Sequence, residues 1–210
     1  MTNFARSERR SLAALLRTLG PDAPTLCEGW DARDLAVHLV IRDRRPGALI
    51  GNAMPGLASR SQGLQDRATQ AEAELAELPW GELVGLVAEG GPRWNPMSWG
   101  PLDRLANTAE FLVHHEDVRR AQPDWEPRDL AWDLNARVFA MVRSMVLPVS
   151  LKAGRHLVLE APGFGTVSAG RTVHPSTTLR GTPVELLLWL FGRQEHARLE
   201  VTESGPPRES

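Results

Sequence analysis

Leu26-Cys27-Glu28-Gly29-Trp30-Asp31-Ala32-Arg33-Asp34-Leu35-Ala36-Val37-His38-Leu39 marks a passage from a turn segment, Pro21 to Trp30, into a helix with a histidine at its middle. Asp31 and Asp34 stand at the N-cap and third helical positions, a relative of the capping box in which side-chain oxygens satisfy the first free N–H groups. The helix is expected from about Ala32 to Arg45, where Pro46 discourages continuation. Asp34 lies one turn before His38, so it can cap the helix or orient the imidazole through a hydrogen bond. His38 itself, flanked by Val37 and Leu39, is either a ligand or a satisfied core histidine.

Outward from this stretch the first two thirds of the chain read as helices. Phe4, Leu12, Leu15, Leu16 and Leu19 recur at helical spacing up to Gly20-Pro21. Further helices are predicted over Gln62 to Leu78, Trp80 to Ala88, Leu102 to Ala121 and Asp129 to Val146. Between them, Gly90 to Pro101 is too rich in Gly and Pro for a regular element, and it carries Trp94 and Trp99. Such a loop folds against a cavity or packs on the helices.

After Pro148 the pattern changes to short strand-like runs, His156 to Glu160, Gly165 to Ala169 and Thr177 to Arg180. Thr182-Pro183-Val184-Glu185 opens a helix with a cap, a proline at the first position and a glutamate at the third. That helix should end at a left-handed Gly192, and Ala197 to Thr202 should form a last strand. The expected organisation is mainly α with an α+β C-terminal part: a helical domain over 1–147, a small α+β domain over 148–203 and a frayed tail over 204–210.

Composition narrows the function. The chain has 210 residues, 42% hydrophobic and 24% charged, with a formal net charge of −2. That charge argues against a nucleic-acid binder, whose affinity comes from neutralised phosphates. The longest apolar run, Leu186 to Phe191, is too short to span a bilayer, and the N-terminal stretch lacks a signal-peptide core. A cytoplasmic protein is the expectation. A single cysteine, Cys27, excludes an internal disulfide and any multi-cysteine zinc motif. Lys152 is the only lysine, a bias that hints at a GC-rich genome.

The chemically informative pattern is Glu110-Phe-Leu-Val-His114, which places a carboxylate and an imidazole on one helix face. His38 from a facing helix could complete a metal site of the kind helical bundles build in their cores. Three N/O ligands without a thiolate describe a catalytic site with a position left for water or substrate, filled by zinc, nickel or iron. The competing reading pairs Glu110 with an arginine and buries His114 in the core; chance alone supplies about half such a motif in a chain of this composition. His115 points to another helix face and is not counted as a ligand. Asp117, one turn past His114, could support it or form an ion pair with Arg119 or Arg120, the ion pair being preferred. Arg42 and Arg45 lie on the His38 side of their helix, as carboxylate binders or as a solvated helix end. Cys27 could be a nucleophile with a histidine base, or a small buried hydrophobe.

The Leu26–Leu39 stretch resembles the "GW-x-x-x-DL-x-x-HL" signature of the mycothiol-dependent maleylpyruvate isomerase family. Glu110-Phe-Leu-Val-His114-His115-Glu116-Asp117 is similar to that family's E-x-x-x-H-x-x-D segment. The resemblance implies a DinB-like four-helix bundle with metal ligands at His38, Glu110 and His114. The run Arg180 to Arg193 resembles the family's small sterol-carrier-like domain, which implies an active-site arginine at Arg193; otherwise Arg193 complements a helix C-terminus. The stretches His38 to Pro46 and His114 to Asp117 look more like an actinobacterial subfamily of metal-binding proteins of unassigned activity. The implied function is a divalent-metal protein, with zinc expected, that uses mycothiol as cosubstrate for isomerisation of, or S-transfer to, a small electrophile. The alternative is a non-catalytic metal- or ligand-binding module of the same fold. Oligomeric state is not legible.

Overall fold

The computed structural model describes residues 4–44, 62–91 and 101–205. Two compact units divide the chain, Met1–Glu126 and Pro127–Ser210. Among the described residues there are seven α-helices and one mixed four-stranded sheet.

The first unit holds α1 (Phe4–Leu19), α2 (Ala32–Arg44), α3 (Gln62–Ala76), α4 (Trp80–Glu89) and α5 (Pro101–Arg120). α1 packs on α5 and α4, and α2 packs on α4 and α3. Leu12, Leu16, Leu35, Leu39, Leu83 and Phe111 are among the fully buried residues of the core, and their removal from water supplies the main driving force for this unit. The capping box at the start of α2 is reciprocal. Asp31 Oδ1 accepts the N–H groups of Arg33 (2.8 Å) and Asp34 (2.9 Å), while Asp34 Oδ2 accepts the N–H of Asp31 at 3.2 Å.

The turn before α2 is strapped to its surroundings by main-chain bonds. Leu26 N–H donates to the Asp117 carbonyl (3.1 Å) and Ala32 N–H to the Ala23 carbonyl (2.9 Å). The Gln122 amide donates to the Pro24 carbonyl at 3.0 Å. These bonds tie the entry to α2 to the last turns of α5.

The second unit holds α6 (Trp132–Ala153), β1 (His156–Ala161), β2 (Gly165–Ala169), β3 (Ser176–Arg180), α7 (Pro183–Leu190) and β4 (Glu200–Ser204). Strand order is β2-β1-β3-β4, with β1 and β3 parallel and both outer pairings antiparallel. Leu157, Leu159 and Ala161 alternate inward along β1, the period of a half-buried strand. α6 packs on α7 and on β1 and β2.

Several boundaries differ from those expected. The division at 147/148 falls inside α6, which continues past Pro148 to Ala153 and closes at a left-handed Gly154. Pro148 lies on the exposed side of α6, as does Ser144 one turn earlier, so the carbonyl freed by the missing N–H can meet water. The compact units instead part at Glu126/Pro127, because α6 buries its apolar face within the second unit. α6 is also the one helix among the described residues long and apolar enough to cross a membrane; its Leu134, Val138, Phe139, Met141, Val142 and Val146 are buried in protein. α7 begins at Pro183 as expected, but Thr182 makes no side-chain cap, and buried Glu185 accepts the Arg198 N–H at 2.8 Å instead. The last strand starts at Glu200 rather than Ala197, after a short turn of 3₁₀-helix at Gln194–His196, and it takes in Ser204, which was expected in the tail. Trp94, Trp99 and Arg45 lie outside the described residues.

Candidate metal centre

Asn107, Glu110, His114 and Asp117 follow one another at spacings that keep them on one stripe of α5. His38, at the middle of α2, faces that stripe. A single oxygen, Glu110 Oε1, lies 3.3 Å from His38 Nε2, 3.3 Å from His114 Nε2 and 3.3 Å from Arg42 Nε. The donor atoms of His38, Glu110 and His114 all lie within 4.8 Å of one another. The His38 and His114 rings meet edge to face with centroids 5.5 Å apart.

At 3.3 Å the His38 and His114 contacts are long hydrogen bonds to the Glu110 carboxylate, beyond the ordinary range of about 2.7–3.2 Å. Two ligands bound tetrahedrally at about 2.0–2.1 Å from one zinc ion would stand about 3.3 Å apart, so His38, Glu110 and His114 are close enough together to hold an ion.

Beyond these three groups, buried Asp117 accepts from His114 Nδ1 at 3.0 Å, and the Cys27 thiol donates to the same Asp117 oxygen at 3.3 Å. This carboxylate directs the other ring nitrogen of His114 toward Glu110. Support of His114 is one of the two roles expected of Asp117; Arg119 and Arg120 hold Glu116, at 3.0 and 2.7 Å. Cys27, His114 and Asp117 also form a second group with metal-ligating potential, but it draws on the same histidine. His115 turns away, as its place on the helix requires, and sits 2.9 Å from Glu8 in the core.

Arg42 is a site residue and not a solvated helix end. It donates to Asn107 Oδ1 at 2.6 Å and flanks Glu110. Asp43, buried beside it, also pairs with Arg9, whose guanidinium covers the Phe111 ring at 3.9 Å. Asp34 is engaged in capping, and its side chain contributes to a cavity that also touches His38. Arg193 belongs to the second unit, where it donates to the Phe191 carbonyl at 2.7 Å, beside the C-terminal end of α7.

Electrostatics follow from this packing. Burial alone would raise the Glu110 carboxyl, but hydrogen bonds from His114 and His38 and the Arg42 charge hold it well below the usual carboxylate range. Burial likewise works to lower His114, yet its bonds to Asp117, Cys27 and Glu110 outweigh that, and it is pushed up to about 11.

Sequence reasoning did not reach Asn107, Asp43 or the contact of Cys27 with Asp117. Asn107 was accessible in principle, since it precedes Glu110 by three residues on the same stripe. Cys27 and Asp117 are ninety positions apart, and no local pattern joins them.

No protein-family model matches this chain, and neither does any curated protein sequence. Two crystal structures do resemble it: a mycothiol-dependent maleylpyruvate isomerase and a histidine-to-alanine mutant of such an isomerase. Each matches at 15% identity and a TM-score of 0.57, over 98% of this chain and 94% of the other. At that identity the likeness is one of fold, and it extends over nearly the whole length of both chains.

Proposed function

We propose that this protein is a divalent-metal-dependent enzyme that uses a small thiol, mycothiol or a close equivalent, to isomerise or S-conjugate a small electrophile. The observation that carries the reading is the placement of His38 Nε2 and His114 Nε2 at 3.3 Å from one oxygen of Glu110. The fold likeness to a mycothiol-dependent isomerase supports the choice of cosubstrate.

His38, Glu110 and His114 would hold the ion, with zinc favoured by the all-N/O set of three protein ligands. A zinc ion so held lowers the pKa of a thiol, so that the thiolate nucleophile exists at neutral pH. The chain's own groups prepare for this. Asp117 fixes the His114 tautomer and offsets part of the added positive charge. Arg42 holds the Glu110 carboxylate in place, and Asn107 in turn holds Arg42. The Trp30 and His38 rings meet at a tilt, with centroids 5.1 Å apart.

Elemental analysis of wild-type protein beside His38→Ala and His114→Ala tests the ligand set: wild-type protein should carry about one ion per chain and the variants little. Unchanged metal content in both variants would refute it. Mycothiol consumption by the loaded protein with a panel of electrophiles tests the chemistry. Metal binding without turnover would instead identify a non-catalytic module.

A further inference from the structure

A cavity of about 570 Å³ opens beside His38, within the size range of small-molecule sites. Its walls are two helix stripes. Asp34, Val37, His38 and Ile41 come from α2, and Thr69, Glu72, Ala73 and Ala76 from α3, with Trp30 completing the lining. On the α3 side Ala73 and Ala76 are small and exposed, which keeps that part of the wall low.

Among the described lining residues the charge is one-sided. Asp34 and Glu72 contribute carboxylates, and no arginine or lysine is among the described lining residues. Two described arginines of α2 are engaged outside the cavity. Arg33 donates to the Ala76 and Leu78 carbonyls, and Arg42 to Asn107. Glu72 is exposed on the wall, and Trp30 is 39% exposed, so both are open to a ligand. An aromatic face beside two carboxylates attracts an ammonium group and repels a carboxylate.

We propose that this cavity binds organic cations, with an apolar body between the α2 and α3 stripes and an ammonium directed to Glu72, Asp34 and the Trp30 ring. Because His38 is common to the cavity and the metal centre, such an amine is the substrate class of the proposed reaction, in place of a dicarboxylic acid. That last step rests on the proposed function; binding itself does not.

Three probes sharing one ring separate the possibilities: benzylamine, benzyl alcohol and phenylacetate, titrated by calorimetry at constant salt. Titrations use the full chain after chelation, where phenylacetate cannot coordinate an ion, and again with zinc restored. Benzylamine should bind about tenfold tighter than phenylacetate in the chelated protein, with benzyl alcohol between them. Glu72→Gln should weaken benzylamine about threefold, and Glu72→Arg should reverse the order of the charged probes. Glu72 is exposed, so neither substitution threatens folding. Phenylacetate binding tightest, all three binding equally, no binding of any, or an order indifferent to residue 72 would each overturn the inference. Failure of the metal reading looks different: the amine preference persists while elemental analysis finds no ion. If the ion is present and the preference absent, only the inference falls.

Discussion

Asp117 Oδ2 lies 3.0 Å from His114 Nδ1, and the Asp117 side chain has no exposed surface. A buried carboxylate in that position sets both the orientation and the charge of the imidazole it holds. Asp117→Asn keeps the volume but removes the charge. It should weaken zinc binding about 10–100-fold, measured by competition with a chromophoric chelator. Affinity equal to wild type would show that Asp117 does not support the site.

Proton linkage gives a second expectation. In metal-free protein His114, raised to about 11, carries its proton at neutral pH, and Nε2 can ligate only after losing it. Zinc uptake at pH 7–8 should therefore release about one proton from this site, and affinity should rise about tenfold per pH unit. Calorimetry in buffers of differing ionisation enthalpy measures the proton count. The sign is opposite for stability of the metal-free chain: the contribution of a raised pKa is complete below the unfolded value of 6.5 and lost as pH climbs through about 11.

Glu110 is held low, so its contribution to stability is present above the unfolded value of 4.5 and is lost as pH falls through the depressed folded value. Glu110→Gln leaves Arg42 and protonated His114 facing an uncharged amide. It should cost the metal-free protein about 1–3 kcal/mol at pH 7. Urea unfolding at pH 7 and at pH 3 measures this, and the difference from wild type should narrow at the lower pH. A deficit that widens in acid would contradict the assignment.

Gly170 tests the second unit. Its φ is +96°, and a Cβ there would stand 2.2 Å from Ser150 Oγ and 2.6 Å from the Arg155 carbonyl oxygen. Ser150 already donates to that carbonyl at 2.6 Å, so neither atom has room to withdraw. Gly170→Ala should destabilise the protein by about 2–3 kcal/mol, read as a lowered denaturant midpoint.

Local chemistry made much of this legible. The start of α2 was readable because Asp31 and Asp34 serve their own neighbours, and the strands of the second unit because β1 alternates with period two. Glu110 and His114 were readable as a pair because helical spacing alone puts them on one face. What was not legible depends on which side of an element meets the core. Pro148 resembles a helix terminus until its exposed position is known, and Arg42 resembles a solvated end until Glu110 and Asn107 are seen opposite it. Asp117 was legible as a support for His114 because it follows by one turn on the same stripe, but the local sequence offered Arg119 and Arg120 as partners as well, and only the fold shows both of them on Glu116.

One main-chain bond, from Leu26 N–H to the Asp117 carbonyl, and one side-chain bond, from Gln122 to the Pro24 carbonyl, join the turn before α2 to the end of α5, close to the faces that carry His38 and His114. If His38, Glu110 and His114 hold an ion, bonds that never touch it would help set how far apart its ligands stand, and so which coordination geometry they can meet.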